Sequence, residues 1–188
     1  MNIKKLESLY NYIISIEPGI NVNVSMAETS QHHETYPYDM EKILEFLEKE
    51  GRKGMRVLDI GSGLGFPVAA FAMSGYRASG VEHDIEFVRH SRKKLERMHN
   101  DGRIKTLPQI IHANFFIREF QNLIPEYDAF FSYNYGAVHA RELLGALKKA
   151  HSGAMFLVEQ RYFTPEILSS TGFSPIYEED SESYLIKN

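Results

Sequence analysis

Residues Val57 to Phe66 read VLDIGSGLGF, and this stretch decides the fold. The hydrophobic run from Met55 to Ile60 predicts a short buried strand, which leads directly into a turn containing Gly61, Gly63 and Gly65. Glycines at alternate positions let the backbone turn sharply and approach a ligand without an intervening side chain. We therefore expect a ligand to lie against this turn.

A second strand ends in an acid. The stretch GVEHD begins at Gly80, and the strand predicted from Ala78 to Val81 stops at Glu82. A carboxylate about twenty residues beyond a glycine turn can accept hydrogen bonds from both hydroxyls of a ribose. Strand, glycine turn, helix and acid-tipped strand together predict a unit that binds a nucleoside-bearing cofactor.

The glycine spacing is GxGxG, because Phe66 and Pro67 follow the third glycine. The dinucleotide fingerprint needs a small residue at the Phe66 position, where the helix approaches a pyrophosphate. Phe66 would crowd that approach, whereas Pro67 suits the first turn of a helix. A nicotinamide-binding oxidoreductase therefore remains the less favoured alternative.

Both motifs resemble those of the class I S-adenosylmethionine-dependent methyltransferases, whose first motif looks like VLDIGSGLGF and whose second strand ends in an acid. The resemblance implies that S-adenosyl-L-methionine is the cofactor and that the protein is a methyltransferase. Asn114 stands where the family often has an acid, and its side-chain oxygen can still accept a hydrogen bond from adenine. The cofactor-binding residues implied by the resemblance are Asp59, Gly61, Gly63, Gly65, Glu82, His83 and Asn114.

The methyl acceptor is expected beside the fourth strand, YDAFFSYNYG, because ligands of open α/β sheets bind outside the carboxyl ends of the strands. Tyr133, Asn134 and Tyr135 are the candidate catalytic residues there. Amide- and base-methylating relatives have two prolines after an acid or Asn at this point, and this chain lacks them. The acceptor is therefore an unidentified nitrogen or oxygen of a small molecule or a protein lysine, and a catalytically silent cofactor-binding module is the alternative.

The pattern along the chain predicts an α/β fold: a Rossmann-like, doubly wound, mostly parallel sheet with a C-terminal antiparallel hairpin and an N-terminal helical cap. One methyltransferase domain spans residues 1–188, with a helix and cap loop in 1–38 and the core in 39–188. The predicted hairpin strands are Ser174–Tyr177 and Ser183–Ile186. The predicted helices are residues 3–16, Asp39–Lys49, Pro67–Ser74, Ile85–His99, Phe116–Leu123, Val138–Ala150 and Thr164–Ser170.

The amino-acid composition narrows the class of protein and its possible partners. The chain has 188 residues, a net charge of −4 and no cysteine, so a nucleic-acid partner is disfavoured and a thiolate metal site is excluded. His32 and His33 are adjacent and face apart, so we expect no metal. The basic stretch from Arg89 to Lys105 is interpreted as a solvated helix. We expect a cytoplasmic enzyme without a membrane partner; the sequence does not specify its oligomeric state.

Overall fold

The computed structural model describes residues 1–15, 35–133, 137–159, 168, 170–179 and 182–187. Its strands are β1 (Arg56–Ile60), β2 (Arg77–Glu82), β3 (Gln109–His112), β4 (Ala129–Ser132), β5 (Met155–Glu159), β6 (Phe173–Glu179) and β7 (Glu182–Lys187). Its helices are α1 (Ile3–Ile14), α2 (Pro37–Glu50), α3 (Phe66–Met73), α4 (Ile85–Asn100), α5 (Arg118–Gln121) and α6 (Ala137–Leu147), with a 3-10 turn at Ile124–Glu126.

The strands form one sheet in the order β3-β2-β1-β4-β5-β7-β6. Strands β1 to β5 are parallel, whereas β7 runs antiparallel to both β5 and β6. The predicted doubly wound sheet and its reversed C-terminal hairpin are therefore confirmed. Strand order changes direction at β1, where β2 lies on one side and β4 on the other, and ligands of such sheets bind at this point.

Apolar side chains cover both faces of the sheet, because the central parallel strands are buried on both sides. One core places β1 residues such as Val57 against α1, α2, α3 and α4. The other places Leu58 and Ile60 against α6 and the segment that follows β3. Among the described residues, no helix is both long enough and apolar enough to cross a bilayer.

Helix α1 is the described part of the expected N-terminal cap. It packs on α2 and α3, and its C-terminal end meets α4, where His90 Nε2 donates to Ile13 O at 2.6 Å and Lys94 Nζ donates to Tyr12 O at 2.9 Å. His90 and Lys94 are buried, so the interpretation of α4 as a merely solvated basic helix is wrong at these two positions. The division at residue 38 stays a prediction, and α2 begins one residue before it.

One helix prediction fails in detail. The helix predicted from Phe116 is delayed to Arg118, since the Asn114 side chain accepts from Phe116 N at 2.9 Å and forms a local turn. The helix expected at Thr164–Ser170 lies largely outside the described residues.

Candidate functional site

The glycine turn follows β1 at the carboxyl edge of the sheet, which is the edge where β1, β2 and β4 end. Gly61, Gly63 and Gly65 all have positive φ angles, of 75°, 49° and 90°, so each adopts a conformation that other residues rarely tolerate. A Cβ on Gly65 would lie 2.9 Å from the Ser91 Cβ of α4, whereas a Cβ on Gly63 would meet nothing within 4 Å. Gly65 therefore permits close packing, and Gly63 leaves open space beside the turn.

Glu82 ends β2 and holds the turn in place. Its Oε2 accepts from Gly63 N at 2.9 Å, and its Oε1 accepts from His83 N at 2.8 Å and Asp84 N at 2.9 Å. The His83 ring nitrogen Nδ1 lies 3.0 Å from the same Oε1, although the His83 side chain is mostly exposed. A carboxylate oxygen has room for about two hydrogen bonds, so Oε2 keeps one position for a further donor.

Asp59 lies one strand away from Glu82 and is only 2% exposed. Its Oδ2 has no hydrogen-bond partner in the structure across the described residues. Burial raises the pKa of Asp59 well above its ordinary value, and the negative charge of Glu82 raises it further. A buried polar atom without a partner is costly, which makes Oδ2 a candidate for contact with a ligand.

The loop side chain Ser62 contributes another buried oxygen without a partner among the described residues, as does Ser132 at the end of β4. Neither serine is among the cofactor-binding residues implied by the resemblance, and Ser132 belongs to the fourth-strand stretch where the acceptor is expected. The position of Ser62 between two of the turn glycines places it in the predicted ligand-binding turn, but only the fold shows that its oxygen is buried. A Cβ on Gly80 would lie 2.6 Å from Ser62 Oγ, so the serine packs directly on β2.

The two residues expected to contact adenine, His83 and Asn114, follow the neighbouring strands β2 and β3. His112 ends β3 and donates from Nε2 to the His83 carbonyl at 3.0 Å, which joins the ends of β2 and β3. Asn114 follows two residues later, and its side-chain oxygen accepts from Phe116 N, so part of its hydrogen-bonding capacity serves its own turn. The roles of His83 and Asn114 toward adenine stay predictions.

Of the three residues expected to contact the methyl acceptor, the structure describes Tyr133. Tyr133 follows β4, and its hydroxyl donates to Asp39 Oδ2 of α2 at 3.1 Å. The hydrogen bond joins the end of β4 to the first turn of a helix 94 residues earlier in the chain. Asn134 and Tyr135 lie outside the described residues, as do His32 and His33.

The residues at this edge fit S-adenosylmethionine. Glu82 Oε2 can accept from a ribose hydroxyl, Gly63 leaves open space beside the turn, and Asp59 offers an unpaired carboxyl oxygen. The fold and this edge are those of the class I S-adenosylmethionine-dependent methyltransferases, and the cofactor implied by the resemblance fits the residues that line the edge.

Comparison with known proteins gives the family. The model of the protein-L-isoaspartate(D-aspartate) O-methyltransferase family matches residues 20–115, just over half of the chain, so this chain belongs to that family. Protein-L-isoaspartate O-methyltransferase 1 of Arabidopsis thaliana is 46% identical over 81 residues, which are 42% of this chain and 31% of the relative. The match thus spans about a third of that relative's length.

Solved structures share the fold at low sequence identity. Magnesium protoporphyrin IX methyltransferase from Synechocystis, with bound S-adenosylmethionine, superposes with a TM-score of 0.66 at 14% identity, covering 100% of this chain and 98% of that one. An RNA methyltransferase from Salinibacter ruber in complex with S-adenosylhomocysteine gives 0.58 at 18% identity, over 82% and 92% of the two chains. Their acceptors differ widely, so these likenesses carry the fold alone.

Proposed function

We propose that this protein transfers a methyl group from S-adenosylmethionine to a carboxylate oxygen of isoaspartyl residues in proteins or peptides. The observation that carries the proposal is the family match over residues 20–115, which contains the glycine turn, Glu82 and the end of β3. The partner is then a damaged protein, a more specific acceptor than the small molecule or lysine expected from the sequence.

A carboxylate acceptor suits the chemistry that this site can offer. When bound, S-adenosylmethionine supplies a methyl group on a sulfonium, and a carboxylate oxygen is already an anion that can attack it. The new C–O bond forms as the C–S bond breaks, and no proton has to be removed from the acceptor. The protein's task is then to hold and orient both reactants, and orientation alone can supply a rate enhancement that corresponds to effective molarities of about 10⁵–10⁸ M.

The described residues include side chains that would orient the cofactor and the acceptor. Glu82 and Gly63 would fix the ribose, and Asp59 would face the methionyl end. On the acceptor side, the Tyr133–Asp39 hydrogen bond fixes the start of α2 against the end of β4. Tyr133 would thus position the adjacent Asn134 and Tyr135, which are proposed to contact the acceptor.

The test offers two peptides of identical sequence, one with isoaspartate and one with aspartate, together with labelled S-adenosylmethionine. We expect label on the isoaspartyl peptide and its release as methanol in mild base, because methyl esters hydrolyse and N-methyl groups do not. The Glu82→Ala variant is the control for transfer that does not use this site.

Three outcomes would contradict the proposal. Base-stable label would indicate a nitrogen acceptor, and equal labelling of both peptides would remove the isoaspartyl specificity. Tight binding of the cofactor without transfer to either peptide would favour the catalytically silent module.

A further inference from the structure

Two carboxyl groups share the carboxyl edge, and their surroundings differ. Glu82 accepts three backbone N–H hydrogen bonds and lies beside the His83 ring, so its negative charge is well supported. Asp59 is buried, and its Oδ2 has no partner across the described part of the chain. An isolated buried carboxylate is expensive, and such a group usually becomes neutral by holding a proton.

The elements that pack around Asp59 offer it no compensating cation among the described residues. Its register partners are Gly80 on β2 and Phe131 on β4, and neither carries charge. The glycine turn contributes the neutral Ser62. The charged group that acts on Asp59 is Glu82, and the effect of its negative charge is to favour the protonated form. The buried Lys94 of α4 is directed instead at the end of α1, where it donates to Tyr12 O and Ser15 Oγ.

We propose that Asp59 holds a proton in the ligand-free protein and releases it to solvent when S-adenosylmethionine binds, so that this residue senses the positive charge of the methyl donor. The inference rests on the proposed function only for the cofactor and not for the acceptor. In the methionyl part, the ammonium and the carboxylate offset each other, which leaves the sulfonium as the uncompensated charge. S-adenosylhomocysteine lacks that charge, so we expect its binding to release less of this proton.

The consequence is discrimination between donor and product that depends on pH. Releasing one proton makes an affinity rise by up to about tenfold per pH unit. The affinity for S-adenosylmethionine relative to that for S-adenosylhomocysteine should therefore rise with pH. Above the pH at which Asp59 of the ligand-free protein has itself lost its proton, this ratio should no longer change.

The experiment is calorimetric titration of the full chain with each nucleoside in buffers of different ionisation enthalpy, which counts the protons released. We expect more protons to be released with S-adenosylmethionine than with S-adenosylhomocysteine. In Asp59→Asn that difference should vanish and the affinity ratio should become independent of pH. Subtracting the variant from the wild type cancels the titration of the ligand's own amino group.

Asp128→Asn is the matched control, because Asp128 belongs to the opposite edge of the sheet and should leave the proton count of the wild type unchanged. Equal proton counts for the two nucleosides in the wild type would overturn the proposal, even if Asp59→Asn did not fold. A difference that persisted in Asp59→Asn would assign the proton to another group and would also overturn it. Failure of the wild type to bind either nucleoside would instead overturn the cofactor assignment, and transfer to a different acceptor would leave the proton release intact.

Discussion

Two aspartates at opposite edges of the sheet show how this fold separates stability from binding. Asp128 precedes β4 at the amino edge, where it accepts from Arg56 N and from Arg52 Nη2, each at 2.8 Å. Asp59 lies at the carboxyl edge of β1, and its Oδ2 has no partner among the described residues. The amino edge is complete in the protein alone, whereas the carboxyl edge leaves buried polar atoms that a ligand can satisfy.

The electrostatics of the two aspartates follow the same division. Burial alone would raise the pKa of Asp128, but the hydrogen bonds from Arg56 and Arg52, with the nearby charges of Arg52 and His151, lower it overall. Burial raises the pKa of Asp59, and the charge of Glu82 adds to the effect. Buried polar groups without partners lower the stability of a fold, and proteins keep them mainly where they serve a function. Their presence at the carboxyl edge therefore marks it as the functional edge.

The largest expected effect is on cofactor affinity when Glu82 is changed. In Glu82→Gln the amide nitrogen cannot accept from a backbone N–H or from a ribose hydroxyl. We expect a loss of roughly 2–5 kcal/mol of binding free energy, because charge-assisted hydrogen bonds are replaced by weaker or missing ones. Calorimetry with S-adenosylhomocysteine measures the loss, and unchanged affinity would show that Glu82 does not contact the ribose.

Substitutions at Gly65 and Gly63 distinguish a glycine that is needed for packing from one that leaves space for the ligand. Gly65→Ala places a Cβ 2.9 Å from Ser91 at a positive φ angle, so we expect about 2–4 kcal/mol of lost folding stability. Gly63→Ala meets nothing within 4 Å and should cost only about 1–2 kcal/mol from backbone strain, while its methyl group occupies the space beside the turn. Urea unfolding and cofactor titration of both variants check this, and equal stability losses would contradict the packing role of Gly65.

The pH dependence of stability should have opposite signs at the two edges. The pKa of Asp59 is raised above 3.8, so the wild type should lose stability relative to Asp59→Asn as pH rises from 3.8 through the raised pKa. The pKa of Asp128 is lowered below 3.8, so the wild type should lose stability relative to Asp128→Asn as pH falls through the lowered pKa.

Urea unfolding of the three proteins from acid to neutral pH measures both trends. Each slope can reach at most about 1.4 kcal/mol per pH unit for one group. Parallel profiles for the two variants would remove the contrast between the edges.

The smallest expected effect is at Tyr133. Tyr133→Phe keeps the ring that packs on the core and removes the hydroxyl that donates to Asp39. We expect about 0.5–1.5 kcal/mol of lost stability. Cofactor affinity should be unchanged, and the KM for the acceptor should rise or kcat should fall. If Asp39→Asn lowers turnover in Tyr133→Phe as much as in the wild type, the two residues do not act as a pair.

Local motifs made much of the fold and of the cofactor edge predictable. Gly61, Gly63, Gly65 and Glu82 belong to two short segments whose residue types alone require the turn and the acid. Asp84 ends the second of these segments and caps α4, where its side chain accepts from Glu86 N and Phe87 N.

Contacts between distant segments were not predictable in this way. Nothing in the local pattern pairs Tyr133 with Asp39 or directs Lys94 toward Tyr12, because both contacts depend on how helices pack across the sheet. Asn114 shows a third case, in which a side chain suited to a ligand is engaged by its own turn. Prediction thus succeeds where one segment determines the geometry and fails where two must meet.

The most direct test of the central claim, that the carboxyl edge is the cofactor site, is amide hydrogen exchange with and without S-adenosylhomocysteine. We expect added protection in the glycine turn, residues 61–65, and at residues 82–84, where the N–H groups of Gly63, His83 and Asp84 surround Glu82. Residues 52–56 and Asp128 at the amino edge should exchange at the same rate in both states. Protection confined to the amino edge, or absent from the glycine turn despite binding, would contradict the account.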